Sequence, residues 1–179
     1  MGLMVGDPNG NFRPQDKVQR QEVAVVGMRL MERLLTHATV KWVVEGEVRL
    51  NDVILGVAPS LQGLLEQSNG MTLFESELDV EVKDRRIAKI NRFEITRSGQ
   101  APTEGQPEFA GNIALEGHDN VIDGTVVISG RYVTLKNMTI RGDLVVEPEF
   151  AEGFHMENVE VLGQTIIGDT ETETSTAAE

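Results

Sequence analysis

The chain has 179 residues, of which 40% are hydrophobic and 25% charged, which is typical of one globular domain or two small ones. Its formal net charge of −13 argues against a nucleic-acid partner, because a phosphate backbone is bound by clustered Lys and Arg. The absence of cysteine excludes disulfides and thiolate metal sites, and no apolar run reaches the roughly 20 residues of a membrane span. The first residues also lack the basic start and long apolar stretch of a signal peptide.

The N-terminal segment predicts a loop followed by one helix. Residues 1–18 are dense in Gly, Pro, Asn and Asp, which favour turns. Residues 20–35 carry apolar side chains at steps of three and four, as one face of a helix requires. This apolar stripe consists of Val23, Val26, Leu30 and Leu34.

The next segment predicts short strands. Aromatic residues make up only 4% of the chain, so its core must be filled by Val, Ile and Leu, which occur here in short runs. The run 78–82 alternates strictly, and the basic cluster 83–86 that follows predicts a charged turn between two strands. Residues 59–66 predict one or two helical turns. The segment 97–108 has two Pro and two Gly and almost no apolar residues, so it predicts a linker.

Residues 109–168 contain an internal repeat. Asn120, Asn137 and Asn158 each begin a unit of Asn, short apolar strand, Gly and second strand, with spacings of 17 and 21 residues. A period near 20 built from strand, Gly and strand is typical of stacked β-coils. Asn suits a tight corner because it tolerates left-handed backbone conformations and its amide can bond to an Asn of the next coil.

We therefore predict a mainly β protein with one N-terminal helix and a short parallel β-helix-like solenoid in its C-terminal part. The alternative is an antiparallel β-sandwich whose strands share turn residues. The last eleven residues are acidic and of low complexity, which predicts disorder. The expected divisions of the chain are 1–37, 38–96, 97–108, 109–168 and 169–179.

The first 35 residues resemble part of an S-layer homology (SLH) repeat. That family shows an apolar lead-in, a Gly-x-Pro-Asp-Gly turn, a Phe-x-Pro segment and then Thr-Arg-Ala-Glu at the start of a helix. Residues 2–35 follow this pattern in register, although Asn9 replaces the usual Asp, and the first helix of the repeat is not in the sequence. The matching residues are Gly6, Pro8, Gly10, Phe12, Arg13, Pro14, Arg20 and Glu22.

This resemblance implies binding of pyruvylated secondary cell-wall polymer. A Gly-rich turn offers backbone N–H groups that can approach a sugar closely, and Arg20 at a helix start suits an anionic substituent. The competing interpretation is a plain tight turn and a solvated helix start. The candidate ligand-binding residues are Gly6, Asp7, Pro8, Asn9, Gly10, Arg20 and Glu22.

Residues 109–168 are also similar to the right-handed parallel β-helices that extend large bacterial surface proteins. Enzymes of that class use Asp clusters for calcium and a basic residue for proton abstraction, and this segment has no such constellation. We therefore predict no catalytic residue, no cofactor and no metal site. A calcium loop starting at Asp7 fails because Phe12 and Val18 stand where Gly and Glu are needed. The three histidines are far apart in sequence, which favours surface or packed positions.

These features predict a non-enzymatic, S-layer-associated structural protein of the cell surface or cell wall, provided that an export signal lies upstream. The expected partners are cell-wall polysaccharide and further copies of the chain. Because SLH repeats assemble in threes, a trimer is favoured. One alternative is a phage or appendage subunit, for which the missing export signal would be natural. Another is a carbohydrate-active β-helix enzyme or its binding module.

Overall fold

A computed structural model of the chain describes residues 35–168. Four short helical segments and eleven strands are found in this range. The helical segments are three 3-10 turns, Pro59–Leu61, Gln67–Asn69 and Pro148–Phe150, and one short α-helix, α1 (Gly70–Leu73). The strands are β1 (Ala38–Val44), β2 (Glu47–Leu50), β3 (Val53–Val57), β4 (Glu77–Lys83), β5 (Arg86–Ile95), β6 (Ile113–Ile122), β7 (Thr125–Ile128), β8 (Val133–Ile140), β9 (Leu144–Val146), β10 (His155–Val161) and β11 (Thr165–Ile167).

The first five strands close into a mixed barrel. The order around it is β1, β2, β3, β5 and β4, and β4 pairs with β1 to complete the circle. All pairings are antiparallel except that between β3 and β5. The alternating apolar residues of these strands point inward and fill the interior, as expected for a small barrel.

Tight turns set the register of the barrel hairpins. β1 and β2 are joined through Gly46, whose φ of 74° is a conformation that glycine adopts without steric cost. β4 and β5 are joined through Asp84 and Arg85, both with positive φ, as a two-residue hairpin turn requires. The charged turn predicted at residues 83–86 is therefore confirmed.

The later strands form a parallel region, defined here as β6–β11. β7, β9 and β11 continue the barrel sheet in parallel from β5, and β6, β8 and β10 form a second, three-stranded parallel sheet. Apolar residues of both sheets belong to one core cluster with those of the barrel. The predicted linker 97–108 lies between β5 and β6 and contains no helix or strand.

The predicted fold class is wrong. The fold is built on a closed five-strand mixed barrel and the second sheet has only three strands, so the C-terminal part is not a parallel β-solenoid. The antiparallel sandwich is wrong as well, because β6, β8 and β10 pair in parallel. The physical reason is that β5 belongs to two parts of the fold. It pairs with β3 and β4 to close the barrel, and it also pairs with β7 of the parallel region. The repeat pattern alone does not reveal such a shared strand.

Two other predictions concern segments that lie mostly or entirely outside the described residues. The helix predicted over residues 20–35 lies outside it except for Leu35, which is buried. The tail 169–179 lies outside it entirely, and the domain boundaries stay predictions. None of the helices within residues 35–168 is long and apolar enough to cross a membrane.

Candidate functional site

The ligand-binding residues predicted from the sequence lie outside the described residues. They are Gly6, Asp7, Pro8, Asn9, Gly10, Arg20 and Glu22. Within residues 35–168, no group of three or more His, Asp or Glu side chains is arranged to hold a metal ion. The pairing of β6 contains a bulge, which sequence reasoning did not identify.

The bulge interrupts the pairing of β6 with β8. Glu116 pairs with Lys136 and Asn120 pairs with Met138, so three residues of β6 lie opposite the single Asn137. Two of the three, His118 and Asp119, have φ values of 49° and 59°. Left-handed conformations at non-glycine residues are costly and persist only when the surroundings impose them. Bulges of this kind are common beside functional sites, where they redirect side chains.

The Glu116 carboxylate holds the bulge in place. It accepts hydrogen bonds from the backbone N–H of His118 at 3.0 Å and from Asn137 Nδ2 at 2.9 Å. Burial acts to raise the pKa of Glu116, but these two hydrogen bonds and the charges of His118 and Lys136 outweigh it, so the pKa is lowered. Glu116 is therefore a structural carboxylate that stabilises the bulge in its ionised form.

The repeat asparagines only partly behave as the sequence predicts. Asn158 Nδ2 donates to Asn137 Oδ1 at 2.9 Å, so two of the three form the expected ladder between neighbouring strands. Asn120 instead donates to Gly117 O at 2.7 Å, inside the bulge. The Asn137 amide therefore donates to Glu116 and not to Asn120, because the two extra residues of the bulge shift Asn120 along β6.

The segment before α1 packs against the bulge through Gly63 and Glu66. A Cβ added at Gly63 would lie only 2.6 Å from Asn120 Nδ2 and 2.9 Å from His118 Cβ, so only glycine fits there. The His118 ring contacts the Glu66 carboxylate, with Nε2 and Oε1 3.0 Å apart. The pair was missed in the sequence because its members are 52 residues apart.

A shallow cleft of about 320 Å³ opens beside the bulge. Its polar lining residues are Ser60, Lys89, His118, Asp119, Asn120, Asp123 and Arg141. Arg141 Nη1 and Asp123 Oδ1, which directly follow β8 and β6, form an ion pair at 2.7 Å. The lining offers donors and acceptors of both charges, so the cleft can hydrogen-bond a polar ligand such as a saccharide.

The three histidines occupy separate places, as predicted. His37 Nδ1 lies 3.7 Å from Glu77 Oε2, at the barrel. His118 lies in the bulge, and the His155 ring stacks on Phe109 with centroids 4.3 Å apart. These contacts give each histidine a local structural role.

Comparison with known proteins supports the N-terminal prediction. Residues 1–24 match the model of the S-layer homology domain, which confirms the predicted partial SLH repeat and contains every candidate ligand-binding residue. No curated protein and no solved structure matches the chain. SLH domains in general bind cell-wall polymers, so the match indicates cell-surface association. Residues 1–24 are thus similar to part of an S-layer homology domain, a family that is associated with the cell surface.

Proposed function

We propose that this chain is a non-enzymatic structural protein of the cell surface, held on pyruvylated secondary cell-wall polymer by its SLH-like segment. The observation that carries the proposal is the family match over residues 1–24, which includes the Gly6–Gly10 turn and Arg20. The sequence predicts a turn at residues 6–10, and a turn with glycine at both ends can offer backbone N–H groups to sugar hydroxyls. The Arg20 guanidinium can pair bidentately with a pyruvyl carboxylate.

The described region supports the structural part of this proposal. The closed barrel shares β5 with the parallel region, and the apolar residues of both belong to one core cluster, which suits a structural role. The charge of −13 favours solubility and opposes nonspecific adhesion to the anionic wall, so attachment has to be specific. The Arg20 site would supply that specificity.

Sedimentation with cell-wall sacculi tests polymer binding. The full chain is mixed with sacculi that carry pyruvylated polymer and with sacculi from which the polymer has been extracted. We expect binding to the first only, and at least about a tenfold loss of affinity for Arg20→Ala, which corresponds to about 1.4 kcal/mol. Arg49→Ala is the matched control, because Arg49 makes only local contacts in the barrel, an exposed ion pair with Asp52 and a hydrogen bond to the Asn51 carbonyl.

Two outcomes of that experiment would contradict the proposal. One is sedimentation that survives the loss of Arg20, and the other is no sedimentation at all. Absence of wall binding together with co-assembly into particles would favour the alternative of a phage or appendage subunit.

A second experiment tests the non-enzymatic part. The chain is incubated with pectin, alginate and extracted cell-wall polymer, with and without calcium. We expect no release of reducing ends. Release that is lost when a single acidic residue of the bulge cleft is changed, such as Asp119→Asn, would show that the protein is an enzyme.

A further inference from the structure

The last strands of the parallel region leave apolar side chains uncovered. Met156 of β10 is 37% exposed, although the residue in register with it on β8, Leu135, is fully buried. Ile167 of β11 is likewise exposed, whereas its neighbour Val146 on β9 is buried. Residues that continue the inward-facing rows of the core therefore lie at the surface at this end.

The backbone of β11 is open on the same side. Leu144 N–H donates to the Gln164 carbonyl and Gly168 N–H donates to the Val146 carbonyl, at 2.8 and 3.0 Å. Alternate residues of a strand direct their N–H and C=O groups to opposite sides, so residue 166 also bonds toward β9. Thr165 and Ile167 then direct both their N–H and their C=O groups away from β9. Within residues 35–168, no strand pairs with this edge.

The geometry points to a second copy of this chain as the partner: we propose that β11 pairs antiparallel with β11 of another copy about a twofold axis. Thr165 of each copy lies opposite Ile167 of the other, and each such pair exchanges two hydrogen bonds. Ile166 then lies on the axis opposite its own counterpart, as a non-hydrogen-bonded pair with closely spaced side chains. The interface is isologous, so it closes at two copies, and the proposed dimer takes the place of the trimer expected from the SLH resemblance.

A second copy fits this edge better than the predicted helix 20–35 or the tail 169–179 does. The edge needs an extended segment with free donors and acceptors, and a helix such as that predicted for residues 20–35 has already used its own. Residues 169–179 consist of Asp, Glu, Thr, Ser and Ala, so they are too polar to cover the exposed aliphatic side chains. A second β10–β11 end matches in both respects, since it presents the same aliphatic residues and the same open backbone groups.

Cysteine crosslinking tests the twofold arrangement, because the chain has no native cysteine. Cα atoms of a non-hydrogen-bonded antiparallel pair are about 4.5 Å apart, within the range of about 4.4 to 6.8 Å that a disulfide spans. We expect Ile166→Cys to form a disulfide-linked dimer under mild oxidation. Ile54→Cys is the matched control, because Ile54 in β3 is 45% exposed and Ile166 is 44% exposed.

The mass in solution tests the same interface without crosslinking. The mass of the full chain, measured by light scattering over a concentration series, should rise from 19.7 kDa to twice that value. We expect Ile166→Lys and Thr165→Pro to raise the dissociation constant at least about tenfold, while Ile54→Lys leaves it unchanged. Thr165→Pro removes only an N–H that faces the partner, so the bonds to β9 remain.

Several outcomes would overturn the proposal. They are a mass of 19.7 kDa at every concentration, equal crosslinking of the two cysteine variants, and dimerisation that is unaffected by both Ile166→Lys and Thr165→Pro. Circular dichroism confirms that each variant is folded before it is compared. None of these readouts involves cell-wall binding, so the result stands apart from that of the sedimentation experiment.

Discussion

Within the described residues, the parallel region has an unpaired strand edge at each end, and the two edges differ in whether side chains of the same chain close them. At the first end, the edge of β6 is closed by side chains: Asn69 exchanges hydrogen bonds with the C=O and N–H of Glu116, at 2.7 and 2.9 Å. Thr72 Oγ1 donates to the Ala114 carbonyl at 2.6 Å. At the last end, β10 and β11 have no such cover among the described residues. A strand edge can thus be closed within the chain by two polar side chains, or left open to a partner.

Removing core side chains at the two ends should give the largest contrast. Leu135→Ala leaves a cavity in the interior and should lower the free energy of unfolding by about 2 to 5 kcal/mol. Met156→Ala, in register with it on the last strand, should lower it by about 1 kcal/mol or less. Urea unfolding at a concentration where the chain is monomeric measures both values. Equal losses would mean that the last strands are covered.

The side chains that close the β6 edge should come next in size. Asn69 is only 2% exposed, and Asn69→Ala leaves the N–H and C=O of Glu116 without partners. A buried unsatisfied group costs about 1 to 3 kcal/mol, and because both of these hydrogen bonds are only partly buried, we expect a combined loss of about 2 to 4 kcal/mol. Asn158→Ala, which removes one exposed side-chain hydrogen bond at the other end, should cost only a few tenths of a kcal/mol. Similar losses in the two variants would show that the closure of β6 is unimportant.

Acid should weaken the bulge end through protonation of Glu116. The pKa of Glu116 is lowered in the folded chain, so its contribution is complete above the pKa of the unfolded state and is lost as the pH falls through the folded value. The melting temperature of the wild type should therefore fall more between pH 7 and pH 3 than that of Glu116→Gln. Parallel profiles would contradict this role for the carboxylate.

Salt should have the smallest effect, and it should act at the open end. Each chain carries a net charge of −13, so two copies repel one another at low ionic strength. Screening over about 8 Å at physiological salt reduces that repulsion. The dissociation constant of the dimer should fall several-fold between about 10 mM and 150 mM salt in light scattering. Dimerisation that weakens with salt would instead indicate an interface held by ion pairs.

The sequence predicted local features well where each depends on neighbouring residues. The mainly β content, the hairpin turn at 83–86 and the Asn137–Asn158 amide contact all follow from short patterns. Barrel closure did not, because it depends on the pairing of β1 with β4 and on the sharing of β5, which no local period encodes.

The two candidate sites show the same division. The SLH-like site at residues 6–22 was recognised from a contiguous motif, and the family match covers it. The β6 bulge was missed because its supports come from distant parts of the chain: Glu66, Gly63 and Asn137 meet it only in the folded structure. For Asn120 the repeat gave a wrong expectation: it predicted a hydrogen bond between Asn120 and Asn137, and Asn137 bonds to Glu116 instead.

Hydrogen exchange tests the difference between the two ends most directly. The Glu116 amide, which Asn69 accepts within the chain, should be protected at every protein concentration. The Thr165 and Ile167 amides should exchange rapidly when the chain is monomeric and become protected as the concentration rises into the range of the dimer. Protection of Thr165 and Ile167 in the monomer, or rapid exchange in the dimer, would contradict the account.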